Sequence, residues 1–505
     1  MPPVGVLCVV GGNNVGKSRL LADIGEYLHG QTDRTIVLKE LHYSLEVEND
    51  RITDWIRANS VVTRNPGQPD MVAPPGGGQQ FQLSQFESLY DSRNILSTMR
   101  FLTPWFFRTL DAGQRVGVAT SGMPMPGMGM SGNPISELYR DGEKEARLSE
   151  ICSRTFGFPL TLDRANVEVM LRVGVPGIPS PLLQHPTREY ADAVLGLDPL
   201  RDQGDGVKNY LGMVLHLMTA TESITVIDEP EAFLHPAQAR ALGLHLGGEA
   251  LENGRQLLTA THDRDFVLGL LEAECPVTFL RINRLEGVSS AATLSSDAVK
   301  SIWDKPVLRY SNILQGLFHR VVVVCEGDAD CRWYGAVLDV MGRSSKVPSE
   351  EVLFVPSGGK AQVRGILEAL SSLDVLAFAI VDFDALLDRD YVGNLLGALG
   401  GDRMEGRRLS TAIGAQLATA EQRNRAKTVG LAGLPAGDVT KMAGELVALM
   451  AAVRVLVVPV GEMESFDRSI GGHGPVWVTS ALAADRHKCT PAAERVLRPV
   501  LDCLV

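Results

Sequence analysis

The segment Gly11-Gly12-Asn13-Asn14-Val15-Gly16-Lys17-Ser18, placed directly after the apolar run Val4–Val10, constrains this chain more than any other. The order is strand, glycine-rich loop, and then a helix opening at Ser18-Arg19-Leu20-Leu21. Glycine at 11, 12 and 16 lets the backbone turn tightly and approach a ligand with no Cβ in the way. The N–H groups of such a loop, backed by the N-terminus of the following helix, cradle phosphate oxygens. Lys17 reaches the β- and γ-phosphates and Ser18 can ligate Mg²⁺. Gly11, Asn13, Asn14, Gly16, Lys17 and Ser18 are therefore the expected ATP-binding residues. The loop is silent on what nucleotide turnover drives.

A chain of 505 residues exceeds one compact core, so two or three domains are expected. No apolar run is long enough to span a bilayer, and residues 1–10 read as a strand rather than a signal peptide. The seven cysteines are odd in number and scattered, which favours free thiols in a reducing cytoplasm. Cys325 and Cys331 have apolar or acidic neighbours and read as buried and inert. The net charge of -12 excludes a chain coated in basic surface. It leaves room for nucleic acid in a local basic groove, and carboxylates that hold metals add to the acidic balance.

Two Pro/Gly-rich stretches, 66–78 and 121–134, read as loops, the second carrying a methionine run. Helices fit Ser18–Leu28, Pro134–Phe156 and Val207–Thr221, and strands fit Val116–Thr120, Ile224–Ile227 and Gln256–Thr259. After a break near Asp304 to His319, strand and helix alternate again. Strands at Val321–Cys325, Val352–Val355, Val375–Val381 and Val453–Val458 give the pattern of a parallel α/β sheet. Residues 388–449 lack strand signals and read as a helical insert. The expected organisation is an α/β nucleotide-binding domain over 1–305, a linker over 306–319 and a second α/β domain over 320–505.

A phosphate-binding loop needs an acidic partner on a neighbouring strand. Ile224-Thr225-Val226-Ile227-Asp228-Glu229-Pro230 supplies it, with Asp228 placed to hold Mg²⁺ and Glu229 to polarise the attacking water as general base. Glu231-Ala232-Phe233-Leu234-His235-Pro236 follows, and after the next strand comes Thr261-His262-Asp263. In this order the chain resembles the ABC-type ATPase superfamily, the branch shared by SMC and RecF-like proteins. The resemblance implies that His262 senses the γ-phosphate. It also implies a signature motif acting across a head-to-head dimer. Only a degenerate form without the usual serine is present, Gln203-Gly204-Asp205-Gly206-Val207-Lys208-Asn209. Gln79 and Gln80 are weak candidates for a Q-loop.

Downstream, Val321–Cys325 delivers Glu326-Gly327-Asp328-Ala329-Asp330, and Ala377–Val381 ends in Asp382-Phe383-Asp384. Strand alternation predicts Asp382 and Asp384 on one side, so both carboxylates can converge on one cation. Open α/β sheets place their sites at strand C-termini, and hard oxygen ligands there suit Mg²⁺ or Mn²⁺. This pairing resembles a Toprim domain, and an ATPase followed by Toprim resembles the OLD (overcoming lysogenization defect) family of ATP-dependent nucleases, which includes the Gabija nuclease subunit. On that pattern Glu326 is a metal ligand and acid/base, and Asp330, Asp382 and Asp384 complete the cluster. Glu462 or Glu464 would serve a second metal, with Glu464 preferred. The phosphate-facing cation is Lys360 or Lys488, the latter nearer to where the family carries a late lysine.

The resulting expectation is an ATP-regulated, metal-dependent DNA endonuclease in phage defence or DNA repair, homodimeric or larger, with room for a defence partner protein and no membrane segment. Its rivals are a RecF-like ATPase clamp with a non-catalytic Toprim domain, and an ATPase sensor whose effector is a separate protein. RNA as substrate also stays open.

Overall fold

The computed structural model describes residues 4–42, 52–65, 67–74, 80–85, 102–118, 134–164, 166, 168–179, 187–285, 288–295, 297, 299–300, 312–345 and 347–504. The chain divides into two compact units, Met1–Val10 with Gly16–Leu280, and Gly11–Val15 with Arg281–Val505. That division falls inside the strand Val277–Leu285, ahead of the linker expected at 306–319. Residues 301–311 lie outside the described residues, and Asn312–Phe318 forms a 3₁₀ helix.

In the first unit the strand Gly5–Val10 is buried along almost its whole length, as a continuous apolar run in a parallel sheet must be. Within this unit the strands run side by side in the order Gly5–Val10, Gln256–Thr261, Ile224–Asp228, Phe107–Leu110, all parallel. Register fixes where chemistry appears. Val10 lies opposite Thr261, and Ala260 opposite Asp228, so these strands release their next residues at one edge.

Three local expectations are revised. The strand expected at Val116–Thr120 is instead Phe107–Leu110, and Val116–Val118 belongs to the helix Ala112–Val118; residues 119–120 lie outside the described residues. The cause is a start signal earlier in the chain. Gln114 N donates to Asp111 Oδ1 at 2.8 Å and Asp111 N to Gln114 Oε1 at 3.2 Å, a reciprocal cap that overrides the β preference of the valines. The loop read over 66–78 contains the strand Met71–Ala73, paired antiparallel with Val61–Thr63 and Phe81–Gln82. The helix read over 134–156 breaks at Asp141, whose carboxylate takes the amides of Glu143 and Lys144 to start Gly142–Phe156. The methionine run at 121–133 lies outside the described residues.

The second unit is built on a fully parallel sheet in the order Val352–Pro356, Val321–Cys325, Ala377–Val381, Val455–Val457. The core on one side packs Trp333 of the helix Asp328–Ser345 edge-on against Trp477, with ring centroids 4.9 Å apart. Between the third and fourth strands stand four helices, Arg389–Ala398, Arg403–Gln416, Ala420–Val429 and Asp438–Ala452, which is the helical insert the sequence predicts. The insert is stitched back to the loop after the last strand. Leu431 N donates to Pro459 O, Ser465 Oγ and Arg468 to Thr428 O, and Phe383 N to Gly461 O. At the crossing, a Cβ on Gly430 would stand 2.1 Å from Pro459 O, and one on Gly461 would stand 2.3 Å from Lys427 O.

Among the described residues no two cysteines form a disulfide, and Cys325 is buried as expected while Cys331 is only half-buried. Among the described residues no helix is long and apolar enough to cross a membrane.

Candidate functional site

The phosphate-binding loop has the backbone its sequence calls for. Gly11, Asn14 and Gly16 hold φ of 150°, 59° and 107°, and the helix Lys17–Leu28 opens at Gly16, a residue with no side chain to cap it. Lys17 is buried, and burial pushes its ammonium below the ordinary lysine value, opposed by Glu229, Asp228 and Glu231. The helix is moored by Asp23, fully buried on it, whose Oδ2 accepts the amides of Ile36, Val37 and Leu38.

Asp228 ends its strand with Oδ1 buried and without a hydrogen-bond partner. An orphaned buried carboxylate oxygen suits a hard cation. Glu229 adopts φ of 46°, unusual for a residue with a Cβ, and its side chain is about half exposed (52%). His262 Nδ1 lies 3.6 Å from Glu229 Oε1 and 3.4 Å from Glu231 Oε1. Glu231 is buried and accepts from Thr261 Oγ1 at 2.7 Å and His262 N at 3.1 Å; burial raises its carboxyl above the usual range against those bonds. The glutamate thus ties the histidine turn to the carboxylate turn.

In the second unit, Val324 pairs with both Val355 and Ala379, so Glu326 and Asp382 leave neighbouring strand ends together. Asp382 N donates to Glu326 Oε1 at 3.2 Å, and Gly327 N to Asp330 Oδ2 at 2.8 Å. Burial first, then Glu326, Asp330, Asp384 and Glu462, push the Asp382 carboxyl up to about 8. Burial also raises Glu326 and Asp330, the latter reinforced by Glu464. The sequence argument for Asp382 and Asp384 needs correction: the strand stops at Val381 and Asp384 lies in the 3₁₀ turn Phe383–Leu387, not two positions along a strand. Glu464 Oε1 takes Gly474 N and His473 Nδ1, each at 2.6 Å. Lys360, opening the helix Lys360–Ser372, lies 3.6 Å from Asp384 and 4.9 Å over the Tyr391 ring. Lys488 is exposed and pairs with Asp485 at 2.9 Å. Among the described residues no three His, Cys, Asp or Glu side chains stand close enough together to hold a metal ion.

Residues 181–269 match the family described as AAA domain, putative AbiEii toxin, Type IV TA system. That stretch carries the helix Asp205–Thr219, the strand ending at Asp228, and His262. Together with the Gly16-Lys17-Ser18 run that opens the first helix, it decides the nature of the first unit. It is a P-loop ATPase domain. No curated protein matches the chain. Among solved structures, an SMC head bound to the C-terminal winged-helix domain of ScpA is similar at 14% identity, covering 59% of this chain and 93% of that one, with a TM-score of 0.34. The SMC head domain from Thermotoga maritima is similar at 14% identity over 58% and 90% of the two chains, with a TM-score of 0.27.

In the ATPase domain the degenerate signature stretch opens the helix Asp205–Thr219, with Gly204 at its N-cap. Gln79 lies outside the described residues and Gln80 is exposed. Sequence reasoning missed three side chains here: Asp23, Glu231 as a tether rather than a turn residue, and Arg115. The last is buried, and its Nη1 donates to Asp228 O at 3.1 Å and Glu229 O at 3.2 Å. Neither Asp23 nor Arg115 lies in a motif. An acid on the buried face of an amphipathic helix, as at Asp23 beside Leu20 and Ile24, was the one readable hint.

Proposed function

We propose that the chain is an ATP-regulated, divalent-metal-dependent DNA endonuclease of the OLD type, serving bacterial phage defence or DNA repair as a homodimer or larger assembly. The observation that supports it most is the acidic cluster of the second unit, where Glu326 and Asp382 leave neighbouring strand ends, Asp382 N donates to Glu326 Oε1, and burial with the neighbouring carboxylates pushes Asp382 up to about 8. Such a concentration of buried like charge is costly unless a cation balances it. Glu326, Asp330, Asp382, Asp384 and Glu464 would hold Mg²⁺ or Mn²⁺, and a metal pair there would supply an activated water and stabilise the leaving oxygen. Lys360 would bind the scissile phosphate, since it already stands at the cluster edge on Asp384, whereas Lys488 is engaged by Asp485. In the ATPase domain Ser18 and Asp228 would hold Mg²⁺, Lys17 would bind the terminal phosphates, and Glu229 would take a proton from the attacking water. His262 would report the γ-phosphate to Glu231.

A second reading, a DNA-binding ATPase whose second unit is a scaffold or whose effector is a separate partner, draws on the absence among the described residues of three ligand side chains already converged. Wild type, Lys17→Ala and Asp382→Ala, incubated with supercoiled plasmid, Mg²⁺ or Mn²⁺, with and without ATP, separate the two. Nicking by wild type that Asp382→Ala abolishes supports the endonuclease. Absence of nicking under every nucleotide and metal condition rejects it. A parallel incubation with single-stranded RNA identifies the polynucleotide.

A further inference from the structure

The turn Asp228–Ala232 presents Glu229 in a left-handed backbone conformation that costs a residue with a Cβ about 1 kcal/mol or more. Something must hold it. Glu229 N donates to Ala260 O at 2.9 Å, which fixes the start of the turn to the neighbouring strand. The carbonyls are fixed by two buried side chains. Arg115 Nη1 bridges Asp228 O and Glu229 O, and Asn209 Nδ2 donates to Ala232 O at 2.9 Å and Pro230 O at 3.4 Å. With both carbonyls around it drawn inward, the Glu229 side chain is left half exposed, 3.6 Å from His262.

The seat for Arg115 is built from three elements. The Asp111–Gln114 cap sets the first turn of its helix. The helix Asp205–Thr219 has glycine where the Arg115 backbone comes closest, since a Cβ on Gly212 would stand 1.8 Å from Arg115 O. Met213 of the same helix packs its sulfur 3.8 Å from Nη1. The guanidinium makes no ion pair among the described residues, and burial lowers its pKa, opposed by Asp228, Glu231, Asp111 and Glu229. A buried cation kept on carbonyl oxygens beside two consecutive acids is expensive, and an apolar side chain would fill the space more cheaply.

We infer that Arg115 is a positioning residue for ATP hydrolysis, holding the Asp228–Glu229 turn so that Glu229 faces the attacking water, while nucleotide binding is left to the loop and Lys17. Arg115 acts through the backbone, its Nη1 holding the carbonyls of Asp228 and Glu229. The inference rests on the ATPase reading of the first unit.

The test is a double-mutant cycle on the full chain. Wild type, Arg115→Met, Arg115→Lys, Glu229→Gln and the Arg115→Met/Glu229→Gln double variant are compared for equilibrium binding of a fluorescent ATP analogue with Mg²⁺ and for steady-state ATP turnover. Arg115→Met is expected to lower kcat about 10²-fold with the analogue's Kd within about threefold. Arg115→Lys keeps the charge without the fork and should lose about tenfold at unchanged affinity, which carries the test should the methionine variant not fold. In the Glu229→Gln background Arg115→Met should cost less than about threefold more, because the base it positions is already gone. Unchanged turnover in both Arg115 variants overturns the inference. So does a parallel loss of binding and turnover, or a full loss repeated on top of Glu229→Gln. A wild-type chain that binds the analogue but turns over no ATP would overturn the ATPase reading itself, and the inference with it.

Discussion

Both sheets deliver carboxylates from the C-terminal ends of parallel strands, yet the two clusters are balanced differently. In the ATPase domain Asp228, Glu229 and Glu231 are met by Lys17, Arg115, His262 and the Thr261 hydroxyl. In the second unit burial raises Glu326, Asp330 and Asp382 and neighbouring carboxylates add to it, while Lys360, paired with Asp384, and His473, paired with Glu464, oppose it only in part. A site whose acids are already countered by protein cations is tuned for a ligand that brings its own negative charge together with a metal. A site whose buried acids are held up by burial and by neighbouring carboxylates would suit a cation first.

The contrast can be broken at several points. Lys17→Ala should lower ATP turnover by at least about 10²-fold, the scale of removing one charge-stabilising group from a transfer site; if turnover survives, the first cluster is not organised around phosphate. Asp382→Ala should remove plasmid nicking by a similar factor and leave ATP turnover within about threefold, measured on the same preparation.

A pH prediction comes from the opposite end of the first sheet, where His216 is buried beside Glu222, Arg108 and Arg255 and burial lowers its pKa to about 4. Above pH 6.5 the ring is neutral folded and unfolded. Between 6.5 and about 4 only the unfolded chain takes the proton, so stability falls as pH drops through that window, by about 3 kcal/mol. Urea unfolding across pH should show that acid limb in wild type and a flatter one in His216→Gln.

Asp23→Ala strands three amides and should cost roughly 2 kcal/mol, read from the urea midpoint. The smallest effect tests the charge surplus directly. Above pH 8, where Asp382 is ionised, Asp382→Asn removes one buried like charge, so in EDTA the variant should be more stable than wild type by on the order of 1 kcal/mol. It should also lose part of the stabilisation that Mn²⁺ gives wild type. A variant less stable than wild type in EDTA would show that the cluster is not under repulsion.

The loop at 11–18, both acid-bearing strand ends and the helical insert were legible because each rests on chain order or on periodicity. The misreadings came where a polar contact decided. Val116–Val118 has strand-forming residues, but the Asp111–Gln114 cap starts a helix before them. Asp382 and Asp384 were placed by strand alternation, but the backbone turns at Asp382. Arg115 has no signal in sequence because its partners are carbonyl oxygens, which every residue carries.

The stitching of the insert to the loop after the last strand has a consequence for how this protein can be rebuilt. Helices at 389–452 would ordinarily be a dispensable decoration, removable by joining Asp388 to Arg454. Here Gly430 and Gly461 are pressed backbone to backbone, and Thr428 O anchors Ser465, directly after Glu464, and Arg468. Trimming the insert would release the acidic turn it braces, so the helices and the carboxylates form one inheritable module that has to be transplanted whole.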